Sequence, residues 1–255
     1  MNVTVCQLPD PPEGFEESWE SLSAHTRENG SELVLLPEMI FHPWVAWTDE
    51  VDSSEWEAAV ESHEKWLERL YELDVPIVAG SRPVTTSDGV RHNQAFVWHD
   101  GTVQDGHVKY YLPDEPGFWE ATWYQPGDGS FEPEPVGDLT AGFMICTDMW
   151  FTEHARGYAR GGAHFILAPR ATEASTRDKW LAGGRAAAVM SGAYCLSSNR
   201  EGESNGVSYA GMGWIIDPDG LVLARTSSET PFATVDIDPE VALKAKETYP
   251  RYVKE

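Results

Sequence analysis

Lysine is scarce in this chain, and cysteine is nearly absent. The 255 residues carry 18 lysines and arginines against 42 acids, for a formal net charge of −24. Such a balance excludes a general electrostatic affinity for nucleic acid or for an anionic membrane. The acids are spread along the chain rather than gathered in a tail, as on a salt-adapted protein whose counterions screen the self-repulsion. Three cysteines, an odd number, give no disulfide framework and suit a reducing cytoplasm. No C-x-x-C or H-E-x-x-H occurs, so no metal site is expected. Neither G-x-G-x-x-G nor a P-loop occurs, so nucleotide binding has no support. No apolar run approaches the roughly 20 residues that span a bilayer. The opening MNVTVCQLPDPPEGFEE lacks a basic region followed by an apolar stretch, so no secretion signal is expected.

What is present reads as a globular α/β chain, with 41% hydrophobic residues. VTVCQL and ELVLLPE are apolar runs of the kind buried on both faces of a parallel sheet. A helix is predicted over 16–28, closed by Asn29-Gly30. A second follows Ser53-Ser54, read as its N-cap with Glu57 completing a capping box. Its apolar stripe is Trp56, Val60, His63, Leu67 and Leu70, with His63 read as a packed side chain. VPIVAGSRPV, VRHNQAFVWHDG and GTVQDGHVKYYL read as consecutive strands. LTAGFMIC, AHFILAPR, AYCLSSNR, MGWIIDPDG and LVLARTS are further strands, with helices over 152–160 and 176–190 between them. The turn at 217–220, DPDG, is a hairpin signal. With no linker and no repeat, the chain reads as one domain over 1–255.

Three strand-ends finish on a reactive side chain: Glu38 in LVLLPEM, Lys109 in GHVKYYLP and Cys146 in GFMICTDMW. Strand C-terminal ends are where α/β folds place reactive groups. Cys146 is either a buried small hydrophobe or a nucleophile whose pKa a nearby helix N-terminus and a cation would lower. Cys6 and Cys195 lie within strands and read as packed thiols. Lys109 is either a surface lysine or a cation that stabilises a developing oxyanion. Glu38 is either paired with an arginine at the sheet end or a buried general base of raised pKa. An acid, a cation and a thiol together suit hydrolysis of a carbon–nitrogen bond. A cysteine–histidine hydrolase using His154 or His164 is the competing chemistry.

These motifs resemble the nitrilase, or carbon–nitrogen hydrolase, superfamily over nearly the whole chain. Glu38 matches its apolar-Pro-Glu motif, Lys109 its lysine after a strand, and Cys146 its I-C-x-D signature in ICTDMWF. Glu120, in GFWEATWY, matches a second glutamate of many members. The resemblance implies a four-layer α-β-β-α sandwich, a homodimer or higher homo-oligomer, no cofactor and a thioester intermediate, with Lys109 and the N–H of Thr147 holding the oxyanion. True nitrilases usually follow the cysteine with Trp-Glu; Thr147-Asp148 here favours small amide or N-carbamoyl substrates over nitriles. Nitrile hydrolysis, acyl transfer and a silent metabolite-binding member stay open. In the family the pocket walls come from the loops after these strands. Here Trp44, Tyr111, Trp119 and Trp150 are read as substrate-binding aromatics, against the reading as core or dimer-interface rings. Arg170 is read as a ligand for a substrate carboxylate or as half of a structural salt bridge.

Overall fold

Strand β1 (Asn2–Pro9) belongs to two sheets at once. Its first half pairs parallel with β2 (Leu33–Glu38) and, on the other side, antiparallel with a late strand. Its last residues, Gln7, Leu8 and Pro9, leave that ladder and pair with Asn199, Arg200 and Glu201. The computed structural model describes residues 1–253, so the last two positions of the expected 1–255 domain lie outside it. The other strands are β3 (Ile77–Thr85), β4 (Arg91–His99), β5 (Thr102–Val108), β6 (Glu134–Val136), β7 (Leu139–Phe143), β8 (Phe165–Arg170) and β9 (Tyr194–Ser204). They are followed by β10 (Val207–Ala210), β11 (Trp214–Ile216), β12 (Val222–Arg225) and β13 (Phe232–Asp236). The hydrogen-bonded path runs β5-β4-β3-β2-β1-β9-β8-β7-β6, folded at β1 so that two sheets face each other.

Side-chain alternation along β2 shows the layering. Leu33 and Leu35 join Val5, Phe143 and Leu167 in the core between the sheets, whereas Val34 and Leu36 join Trp19 and Leu22 beneath helix α1 (Phe15–Asn29). Each of these buried side chains contributes about 1.5–3 kcal/mol. Helix α2 (Ser53–Leu67) covers the same sheet. The short α3 (Glu120–Trp123) lies in the long connection after β5, and α4 (Glu153–Arg160) and α5 (Arg177–Ser191) cover the second sheet, with α6 (Glu240–Ala245) near the C-terminus. The expected α-β-β-α sandwich is the observed architecture.

The expected caps hold with one correction. Gly30 closes α1 in the left-handed region at φ 55°. Helix α2 is capped by Asp52, not by the serines: its carboxylate accepts the Ser54 N–H at 2.8 Å. Leu70 is buried, but in a 3-10 turn beyond the end of α2. His63 packs as expected, its Nε2 accepting the Phe41 N–H and its Nδ1 donating to the Ala59 carbonyl. Burial holds its pKa down at about 3, so it is neutral. Gly142 in β7 is required by close approach: a Cβ there would lie 2.3 Å from the Tyr158 ring. That contact seats α4 on the strand leading to Cys146, and the Tyr158 hydroxyl donates to the Phe143 carbonyl at 2.7 Å.

Candidate active site

Glu38, the last residue of β2, is fully buried. Its Oε1 accepts from Lys109 Nζ at 2.7 Å and from Asn93 Nδ2 at 2.8 Å. Its Oε2 accepts the backbone N–H of Ala171 at 2.9 Å. Lys109, just past β5, is fully buried too and reaches a second carboxylate, Glu120 Oε2, at 2.5 Å. The Tyr124 hydroxyl also donates to Glu120 Oε2. A buried cation thus lies between two buried carboxylates, an arrangement that survives only if the hydrogen bonds are made.

Burial works against the charge on Lys109, yet Glu120 and Glu38 outweigh it and hold its pKa above the ordinary lysine value. Burial pushes the Glu120 carboxyl up to about 7 against the pull of Lys109. The other oxygen, Glu120 Oε1, is buried with no hydrogen-bond partner among the described residues. An orphaned buried oxygen calls for an explanation.

Cys146 sits three residues past the paired part of β7 and opens a 3-10 turn, Cys146–Trp150, with φ at 48°. Positive φ is uncommon for a residue with a side chain and marks a constrained turn. The thiol approaches the Ala171 carbonyl at 3.8 Å, so one residue at the end of β8 touches both Cys146 and Glu38. The expected lowering of the thiol pKa does not hold. Burial, then the charge of Glu38, push it well above the ordinary value, and Lys109 only partly offsets them. The helix expected near the thiol begins at Glu153, beyond the 3-10 turn. The resting sulfur is therefore a neutral thiol beside a carboxylate.

Asp148 joins the cysteine turn to the lysine segment. Its Oδ1 accepts the N–H groups of Tyr110 and Tyr111 at 3.2 and 3.0 Å, and its Oδ2 meets His107 Nε2 at 2.9 Å. Thr147 Oγ1 donates to the Tyr111 carbonyl at 2.5 Å. These bonds fix the spacing of Lys109 and Cys146. His107 carries no signal in the sequence, and neither do Asn93 and Tyr124.

Cys146, Glu120 and Thr147 line a cavity of about 260 Å³ with Phe118, Trp150, Trp180 and Pro113, and with Thr172, Thr176, Glu115, Glu173 and Lys179. Of the six residues expected to bind substrate, Thr147 and Trp150 line it; four do not. Trp44 is buried, donating from Nε1 to the Gly117 carbonyl. Tyr111 stacks on Phe151 with its hydroxyl on His154. Trp119 precedes Glu120, its N–H bound to the Ala46 carbonyl, and its ring packs on the cluster around Trp44 and Trp56. Arg170 is buried on the other face of β8, beneath Trp214 at 3.9 Å, and donates to Ser197, Thr172 and the Met212 carbonyl. It pairs with no acid among the described residues and is not among the residues that line the cavity. His154 and His164 bond to Tyr111 and Thr140, not to Cys146, so the cysteine–histidine reading loses its base. A larger cavity of about 430 Å³, bordered by Arg156, Arg160, Lys246 and Arg251, contains none of these reactive groups.

The profile of the carbon–nitrogen hydrolase family matches residues 2–247. The chain belongs to that family. It is 29% identical over 250 residues to nitrilase homolog 2 of Dictyostelium discoideum, spanning 93% of this chain and 75% of that protein. It is 27% identical to a citrullinase of Francisella tularensis, over 85% and 82% of the two chains. Among solved structures, a carbon–nitrogen hydrolase of Helicobacter pylori superposes with a TM-score of 0.86 at 22% identity, covering 99% and 94%. An amidase of Nesterenkonia sp. superposes at 0.76 with 22% identity, covering 95% and 92%. At such identities the superpositions speak for the fold alone.

Proposed function

We propose that this carbon–nitrogen hydrolase cleaves small amides or N-carbamoyl compounds through a thioester on Cys146. The observation that carries the reading is the buried chain Glu38–Lys109–Glu120, which shares Ala171 and one cavity wall with the thiol. Because the thiol is neutral at rest, a base must take its proton as it attacks, and Glu38 is the carboxylate in place to do so. Sulfur bonds to the carbonyl carbon while the C=O pair moves onto oxygen. Lys109 Nζ and the Thr147 N–H face that oxyanion, a contribution of about 2.7–4 kcal/mol per donor. The C–N bond then breaks, and the departing nitrogen takes the proton from Glu38. Water, deprotonated by Glu38, attacks the thioester; the acid leaves and the sulfur regains its proton. Glu120 Oε1, a buried oxygen with no partner among the described residues, accepts an N–H of the substrate amide.

The test is ammonia and amine release in molar KCl from primary amides, N-carbamoyl compounds and nitriles, with intact-mass detection of the acyl-enzyme. Turnover with an acyl adduct in the wild type, both lost in Cys146→Ala, supports the reading. Turnover retained by Cys146→Ala sinks it. An adduct released only to added amines turns the assignment to acyl transfer.

A further inference from the structure

The cavity above Cys146 is buried at one end and charged at the other. Cys146 and Glu120 lie at its buried end, while Glu115, Glu173 and Lys179 are exposed at its mouth. No ion pair engages any of these three among the described residues. The Glu173 carboxylate accepts only the Ser175 hydroxyl, at 2.9 Å. The rim thus carries two carboxylates and one ammonium on the same cavity, none of them held by a counter-charge among the described residues.

All three charges stand on fixed backbone. Glu115 and Phe118 exchange both backbone hydrogen bonds, at 3.3 and 2.8 Å. Glu173 bridges Tyr209, and its carbonyl accepts the Thr176 N–H at 3.1 Å. Lys179 lies in the first turn of α5. Between the two ends run the rings of Phe118, Trp150 and Trp180, with the Trp150 and Trp180 centroids 4.6 Å apart. The volume of about 260 Å³ is below the usual range of roughly 300–1,000 Å³ for drug-sized ligands, so a short molecule spans it.

Resting on the hydrolase reading above, we infer that the substrate is an α-amino acid whose side chain ends in a carboxamide or ureido group. The ureido or amide carbon meets Cys146, and methylenes lie along the aromatic wall. The α-ammonium faces Glu115 and Glu173, and the α-carboxylate faces Lys179.

The experiment compares kcat/KM for four primary amides that differ at the far end: L-glutamine, 4-aminobutanamide, 4-carbamoylbutanoate and butyramide. L-Citrulline against N-butylurea gives the ureido pair. All are run at the lowest KCl that preserves the fold, because salt screens the rim charges. An exposed ion pair favours its ligand by about two- to fivefold, so two of them give the zwitterion about a tenfold advantage over its neutral partner in at least one series. Lys179→Glu should raise 4-aminobutanamide relative to L-glutamine and 4-carbamoylbutanoate. The double change Glu115→Gln with Glu173→Gln should shift the ratio the opposite way. Neutral compounds turned over as well as zwitterions, 4-aminobutanamide matching L-glutamine in the wild type, or ratios unmoved by Lys179→Glu would each overturn the inference and leave the hydrolase intact. No turnover of any of the six by folded protein would overturn both.

Discussion

Replacing Lys109 by methionine should separate the two tasks its ammonium performs. In the folded protein Lys109 Nζ lies 2.7 Å from Glu38 and 2.5 Å from Glu120, with all three side chains fully buried. Lys109→Met keeps most of the volume and leaves two carboxylates without their cation. Removing one partner of a buried ion pair costs about 3–5 kcal/mol. At about 2–4 °C per kcal/mol for a domain of this size, that lowers Tm by about 6–20 °C. Loss of an oxyanion donor should also lower kcat by about 10²–10³. Adding Glu120→Gln to Lys109→Met removes one orphaned charge, so the double variant should melt above the single one while remaining as inactive. The assay is thermal unfolding by circular dichroism at constant KCl, paired with ammonia release. A double variant no more stable than Lys109→Met would refute the reasoning, because the cost would then lie in packing rather than in unpaired charge.

Three further outcomes are expected. The Glu120 carboxyl is raised in the folded state to about 7 from an ordinary 4.5, so its contribution is most favourable below pH 4.5 and is lost as pH rises through 7. The stability of wild type relative to Glu120→Gln should therefore fall across that window, by at most about 1.4 kcal/mol per pH unit in urea titrations; a flat difference would contradict it. Iodoacetamide should label Cys146, which lines the cavity, well before Cys6 and Cys195, which are fully buried inside strands; peptide mass mapping reads the order, and equal rates would dismiss a privileged thiol. With a formal charge of −24, Tm should climb between about 0.1 and 1 M KCl as the screening length shrinks from about 10 to 3 Å, whereas a Tm independent of KCl would mark the acidic surface as neutral for stability.

Glu38 was legible as a lone charge closing an apolar strand, and Lys109 as a lysine directly after a strand in a lysine-poor chain. What answers them was not. Asn93 lies on β4, Tyr124 past α3, and the Ala171 contact is a backbone N–H, which leaves no trace in composition. Arg170 obeyed the same strand-end rule as Glu38 and misled, since one step along β8 reverses the side chain: Ala171 meets the cavity and Arg170 meets Trp214. The aromatics failed for a related reason. Tyr111 and Trp44 stand beside reactive strands, but position in a loop does not reveal whether a ring faces a cavity or the core. At the start of α2, three adjacent residues can cap, and only the backbone decides for Asp52.

Glu120 lies in a helix of four residues, too short for any periodicity, and was reached only through resemblance. Its setting nevertheless explains why the site needs a second carboxylate. Two carboxyl groups share the one buried ammonium, which crowds negative charge beside a thiol that must approach thiolate during attack. Burial raises the Glu120 carboxyl, and the neighbouring Glu38 charge adds to that rise against the pull of Lys109. Oε2 is occupied by Lys109 and Tyr124, which leaves Oε1 as the oxygen without a partner among the described residues. Glu120 thus has two tasks, holding Lys109 through Oε2 and, in the reading proposed above, accepting a substrate N–H at Oε1.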